Sequence, residues 1–420
     1  MRILHTADWH LMDTLGSRRL SRREDINRSL QQIAKYLDEG AVDVMIVAGD
    51  LFRELGMKPQ EVREALLDMK NIFTPFLKRG GSIITTLGNH DHEVFFEMMK
   101  TVLDMVMPVQ SNNEAVPDLA GRIYFAPKAQ VLNLKDKNNK AVQFVLMPYP
   151  TGVYLKDEAG RSYKTVEEKN RAIQGKFRDV LNHLKQGKLD SSVPSVLVSH
   201  LHVRGTELHG RFRLTESESV MFEQTDIPTN WSYAAFGHIH QAQEPLVGAS
   251  HVKYSGSIER LDYGERADKK SVVLFEIGAD NRLVKEPEIL PIETTDFLSI
   301  EITDPENEIQ HLRDKYPNAE SALVKYKLNW NPHEHNKTAM CREIERIFPR
   351  WYSCETAPIG GLESITSLSL SSEKMRDVPT VVREYLTSQL KESNHKDELL
   401  QLADELIAEE LSNSEEVFAK

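Results

Sequence analysis

The apolar run Val44-Met45-Ile46-Val47-Ala48 breaks off on Gly49-Asp50. Such a run reads as a strand buried on both faces, and a carboxylate at its carboxyl end sits where an α/β fold places chemistry. Other strand-like runs end on residues of the same kind. The stretch 3–7 ends on Asp8-Trp9-His10, and 82–87 ends on Gly88-Asn89-His90-Asp91. The stretch 195–199 ends on His200, and 233–236 ends on Gly237-His238-Ile239-His240.

Aspartate, histidine and asparagine suit a pair of borderline-hard divalent ions such as Mn(II), Fe(II) or Zn(II). A set of N and O ligands without cysteine argues against structural zinc. Two ions roughly 3.5–4 Å apart can clamp a phosphodiester and activate water. Asp50 is the expected bridge between them. Asp8, His10 and His240 are expected around one ion, and Asn89, His200 and His238 around the other. His90 is expected to face the scissile group, where it could protonate the leaving oxygen or stabilise the transition state. Asp91 has two open readings: it orients a ligand or His90 from behind, or it caps the next helix. Each piece alone is weak, but an ordered set that falls at successive strand ends is rarely supplied by chance. His5, His202, His209 and His251 read as satisfied core or surface histidines.

These side chains need a scaffold that brings strand ends together. Ile26, Leu30, Ile33, Ala34 and Leu37 recur at helical spacing. Pro59 suits the first turn of a second helix, whose stripe runs from Val62 to Leu77. Val94, Phe95, Met98, Met99, Val102 and Val106 mark a third. Residues 1–107 therefore alternate strand and helix, which predicts a parallel sheet. Short strands with turns follow from 120 to 150, then a helix over 172–185. Composition shifts near 287–295, and a small α+β domain is predicted beyond: a strand over 297–303, a helix from Asp304-Pro305 to 316, a strand over 322–330, a helix over 334–348 and a strand over 350–357. A helical tail follows, with Val378, Val381, Val382, Tyr385, Leu386 and Leu390 on one face, and Leu399, Leu402, Ala403, Leu406 and Ile407 repeating the pattern. The predicted divisions are 1–290, 295–372, 376–411 and an acidic end at 412–420.

The rest of the chemistry is bounded by composition. The 420 residues carry a net charge of -12, which speaks to solubility and steering and leaves a local patch open. No apolar run approaches the roughly 20 residues of a membrane span. Two cysteines, Cys341 and Cys354, make no disulfide framework, so a reducing, cytoplasmic setting is expected. The Arg-rich stretch 16–23, with Arg18 and Arg19, is either a solvated loop or a phosphate-contacting rim. No G-x-x-x-x-G-K-[ST] loop occurs, so any use of ATP must come from a partner.

With Asp8-x-His10, Gly49-Asp50, Gly88-Asn89-His90-Asp91, His200 and Gly237-His238-Ile239-His240 in this order, the sequence resembles the calcineurin-like metallophosphoesterases. Within them it is similar to the SbcD branch, in the opening stretch Met1 to Leu11, in Gly49-Asp50-Leu51-Phe52 and in Tyr254-Ser255-Gly256-Ser257-Ile258-Glu259-Arg260. The likeness is strong over about 1–280. It implies a four-layer α-β-β-α core with a capping domain over DNA at 295–372 and a helical tail that grips a partner. It implies a nuclease with two divalent ions, Mn(II) foremost, acting on double-strand ends and hairpins of DNA in repair and recombination. It also implies a homodimer within a heterotetramer, completed by an SbcC-type coiled-coil ATPase, without membrane contact and associated with the nucleoid. Two positions depart from the family pattern: Met12 stands where a glycine is usual, and Arg53 where some relatives carry histidine. Arg53 retains the capacity to contact a phosphate. A phosphodiesterase for small nucleotides and a non-catalytic scaffold are the competing readings; an intact ligand set opposes the second, and the extra domain and tail oppose the first.

Overall fold

Alternate residues along each strand face opposite layers, and here both faces are apolar. The computed structural model describes residues 1–53, 58–106, 121–151, 154–155, 163–208, 220–278, 280 and 282–359, and positions 387, 396–397, 399–404 and 406. In chain order the first elements are β1 (Arg2–Thr6), α1 (Arg23–Glu39), β2 (Val44–Val47), α2 (Pro59–Lys78), β3 (Ser82–Thr86), α3 (Glu93–Val106) and β4 (Ile123–Ala126). Then come β5 (Gln130–Lys135), β6 (Ala141–Met147), α4 (Val166–Lys188), β7 (Ser195–His200), β8 (Tyr233–Gly237), β9 (Val252–Tyr254), β10 (Ser271–Glu276) and β11 (Glu288–Pro291).

One sheet has the order β11-β10-β1-β2-β3-β4, with β1 to β4 parallel. The other has the order β9-β8-β7-β6-β5, with all but β5 parallel. Period two sorts the core into three apolar layers. Val44 and Ile46 of β2 meet Phe144 of β6, Val198 of β7 and Tyr233 of β8 between the sheets. Met45 and Val47 face the other way, onto Ile26, Ile33, Phe73 and Phe96 of α1, α2 and α3. Leu197 and Phe236 face Phe177 and Leu181 of α4. The result is α-β-β-α, as the resemblance implies.

Helix α3 departs from a one-sided stripe. Phe95, Phe96 and Met99 pack on the core, but Val94, Met98, Val102 and Met105 are exposed. Spacing of three and four on a helix with apolar residues on two sides cannot say which side is covered.

Beyond residue 295 come β12 (Phe297–Ile302), β13 (Leu323–Trp330), α5 (Lys337–Ile347) and β14 (Trp351–Pro358), with sheet order β12-β13-β14. The helix expected up to 316 is broken. Pro305–Glu308 and Leu312–Lys315 are short α-turns joined by a 3₁₀ turn at Ile309–His311. Ile309 and Leu312 are both buried at a spacing of three, the period of a 3₁₀ helix. Met1–Trp330 and His335–Ala357 form one compact unit, so this small sheet is anchored to the larger body. Leu15 packs with Phe297, Leu323 and Tyr352. Arg350 reaches Asp25 of α1 at 2.5 Å. Asn331–Glu334 and Pro358–Lys420 make a second unit; most of its predicted tail lies outside the described residues.

Candidate metal centre

Strand ends alone do not fix side chains; the loops beyond them must be held. The turns after β1 and β2 are zipped by backbone bonds. Asp8 N–H donates to Gly49 O at 3.1 Å, His10 N–H to Asp50 O at 3.0 Å and Leu11 N–H to Leu51 O at 3.0 Å. Asp91 ties in the loop after β3. Its carboxylate accepts from Phe52 N–H at 2.9 Å, Leu51 N–H at 3.3 Å and Gly88 N–H at 2.9 Å. Asp91 thus holds the Asp50 loop from behind, and none of these three bonds comes from the first turn of α3. Burial, with Asp50 close by, pushes its pKa up to about 7.

Close approach demands glycine at two points. A Cβ on Gly49, where φ is +86°, would lie 2.3 Å from His200 Nδ1, and one on Gly88 would lie 2.0 Å from Asp50 Oδ1. Several non-glycine residues of the site also take left-handed backbone: Asp8 at φ 52°, His10 at 45°, Asp50 at 49° and His238 at 94°. Such conformations cost about 1–3 kcal/mol each and persist only where the surroundings enforce them.

All the predicted ligands converge. Ligand atoms of Asp8, His10 and His240 lie within 4.8 Å of one another, as do those of Asp8, Asp50 and His200. His10, Asp50 and His90 form a third such group, so His90 reaches the same space. Its backbone N–H donates to Asp50 Oδ1 at 2.9 Å. Asn89 Oδ1 stands 3.0 Å from His200 Nε2 and 2.9 Å from His238 Nδ1.

The donor set fits divalent cations. His200 gives its Nδ1 proton to Ala48 O at 2.8 Å, and His240 gives its own to Glu265 at 2.8 Å. With a cation bound in place of the other ring proton, each ring would turn an Nε2 lone pair inward. His200 Nε2 faces Asn89 Oδ1 and, at 3.4 Å, Asp50 Oδ2. His240 Nε2 stands 3.3 Å from His10 Nε2. Acceptors facing acceptors in a dry site repel unless a proton or a cation lies between them. Burial alone would lower the His200 pKa, yet Asp50 and Asp8 outweigh it and push it up to about 9. Burial raises Asp8, whereas for Asp50 burial is outweighed by His200 and His10, which hold it down. The site calls for positive charge, and ions would supply it in place of ring protons.

The three arginines have these surroundings. Arg53 pairs with Asp13 at 3.1 Å and hydrogen-bonds Thr14 Oγ1. Arg18 donates to Trp351 O at 2.9 Å and lies over that indole. Arg19 lines a separate cavity with Met12 and Arg23. Met12 has φ 69°, which accounts physically for a family preference for glycine there. His5 is a bonded core histidine between Tyr233 Oη and Phe236 O, and His251 bonds Thr229 O. His209 lies outside the described residues.

Sequence reasoning passed over Glu265, Lys270 and Tyr149. Glu265 and Lys270 are buried, and Lys270 Nζ donates to Glu265 Oε2 at 2.7 Å and to His240 O at 2.9 Å. They sit in a charged stretch, 262–270, that reads as a solvated loop. Tyr149 lies 5.3 Å from the His238 ring and 5.8 Å from that of His200, between centroids.

The chain belongs to the calcineurin-like phosphoesterase family, a class of metal-dependent phosphoester hydrolases; the family profile matches residues 1–242. Among its relatives are SbcD proteins, named as components of the nuclease SbcCD. The SbcD of Bacillus subtilis (strain 168) is 25% identical over 283 residues, 66% of each protein. The SbcD of Escherichia coli (strain K12) is 27% identical over 278 residues, 65% of this chain and 64% of the other. These two alignments span just under two thirds of the relatives' length. The SbcD of Staphylococcus epidermidis is 22% identical over 406 residues, 92% of each protein. Among the described residues no helix is long and apolar enough to cross a membrane.

Proposed function

We propose that this chain is a two-metal DNA nuclease, a 3'-5' exonuclease on double-strand ends and an endonuclease on single strands, using Mn(II) in repair and recombination. The observation that carries the reading is the place of the Asp50 carboxylate. It belongs both to the group with His10 and His90 and to the group with Asp8 and His200, as a bridge between two ions must. Asp8, His10 and His240 would hold one ion, and Asn89, His200 and His238 the other. Bound ions would supply Lewis acidity toward the phosphate and favour ionisation of the attacking water. His90, anchored through its backbone to Asp50 Oδ1, protonates the leaving oxygen or stabilises charge on the scissile group. Asp91 keeps the Asp50 loop in register, and Glu265 keeps the His240 ring in its orientation.

The nuclease works as a homodimer with an SbcC-type ATPase, residues 295–372 capping the DNA and 376–411 binding the partner. The exposed apolar stripe of α3, Val94, Met98, Val102 and Met105, supports a self-association surface. Leu399, Leu402 and Leu406, also exposed, support a helix that docks its apolar face on a partner. The relatives' names support the nuclease activity.

The test is the purified chain with Mn(II) on end-labelled duplex, on single-stranded DNA and on a chromogenic phosphodiester, with and without the ATPase. Metal-dependent shortening of the DNA is expected. Hydrolysis of the chromogenic diester alone would move the protein to the small-substrate phosphodiesterases.

A further inference from the structure

A cavity of about 580 Å³ adjoins the metal centre, within the roughly 300–1,000 Å³ typical of small-molecule sites. Asn89 belongs to both: it faces the His200 and His238 rings and lines the cavity with His92, Ala129, Tyr149, Tyr154 and Val180. The walls are mainly apolar and aromatic, with a few polar groups. Tyr149 stands between the two spaces, its ring beside His238. The Nδ1 atom of His92 is buried and has no hydrogen-bond partner among the described residues.

The charges sort what can enter. Asp91 and Glu93 line the cavity, and Lys128 is paired with Glu97 at 2.8 Å. A phosphate is not favoured there. A neutral, flat group with hydrogen-bonding edges is. We propose that this cavity receives one nucleobase of the substrate strand, the base next to the phosphate held at the metal centre. This rests on the nuclease reading above and deepens it. A diester at the Asn89 side of the centre carries its base covalently alongside, and the Tyr149 ring offers that base a π-face at the cavity mouth. Stacking on an aromatic side chain tolerates every base, so the pocket favours nucleotides without reading sequence. The base must leave its stack to enter, which costs least in single strands and at frayed ends.

The experiment uses the full chain with Mn(II) and single-stranded oligonucleotides holding one cleavable diester among methylphosphonates. The nucleotide on either side of that diester is normal or abasic. An abasic residue on one side is expected to lower kcat/KM by about 10-fold, mostly through KM, a factor of the size stacking supplies. Ala129→Phe, which fills the cavity, is expected to bring the ratio of normal to abasic rates close to one. Equal rates for normal and abasic strands on both sides, with metal-dependent cleavage intact, would overturn the pocket and leave the nuclease reading standing; this comparison needs no variant to fold. A full ratio retained by Ala129→Phe would also overturn it. Failure to cut any oligonucleotide while a chromogenic diester is hydrolysed would overturn the DNA reading and the pocket together.

Discussion

His240 donates its Nδ1 proton to Glu265 Oε1 at 2.8 Å, while Lys270 holds the second oxygen of the same carboxylate at 2.7 Å. The pair fixes the tautomer, so that Nε2 points toward Asp8 and His10. A carboxylate behind an imidazole orients the ring and raises its basicity toward a cation. Glu265→Gln is therefore expected to weaken one Mn(II) site by about 10- to 100-fold and leave the other nearly intact. Titration followed by Mn(II) electron paramagnetic resonance reads both sites. Two unaltered affinities would remove Glu265 from this role.

Asp50 and His90 separate binding from chemistry. Asp50→Ala should lose metal-dependent hydrolysis and lower the number of bound ions. His90→Gln should keep both ions yet slow turnover by about 10²- to 10⁴-fold, the usual worth of a positioned proton donor. Because His90 shares a group with His10 and Asp50, a loss of ions in this variant would make it a ligand.

Much of the site was legible because every expected ligand follows a continuous apolar run, and such runs become buried strands. Most strand and helix limits differ from the expected ones by one to three residues, but α4 starts six residues before the expected 172. What was illegible depends on the third dimension. Glu265 and Lys270 lie in a polar stretch whose burial is set by the neighbouring loops. Tyr149 follows β6 with no ligand-like neighbour. Arginines 18 and 53 offer the same guanidinium to a phosphate, an indole or a carboxylate, and only packing selects the Trp351 carbonyl and Asp13. The two-sided α3 and the interrupted turns at 305–315 are likewise decided by what lies against them.

Acid should loosen the link between α1 and the small sheet. Burial would raise the Asp25 pKa, but Arg350 and Arg22 outweigh it and hold the carboxyl at about 2. The folded value lies below the ordinary one near 3.9. Stabilisation from this group is therefore complete above about pH 4 and is lost as pH falls through 2, amounting to about 2 kcal/mol. Thermal melts across this range should fall less steeply with acid for Arg350→Met than for the parent chain. Parallel curves would exclude Asp25 as the group responsible.

Met12 tests backbone strain. At φ 69° a side chain costs about 1–2 kcal/mol that glycine avoids, while glycine costs about 0.5–1 kcal/mol in unfolded-state entropy. Met12→Gly should thus fold with stability within about 1 kcal/mol of the parent, by urea denaturation. A loss above about 3 kcal/mol would mean that its packing on the core around Leu11 outweighs the strain.

Asp25 joins Arg22 and Arg350, and Arg22 in turn donates its backbone N–H to Asp13 O, just past the His10 loop. Swapping in a foreign small domain would therefore leave Asp25 with Arg22 and Arg28 alone, one guanidinium short, unless the graft brought its own arginine. Modular exchange between relatives is constrained at this seam, and the two halves are bound to diverge together.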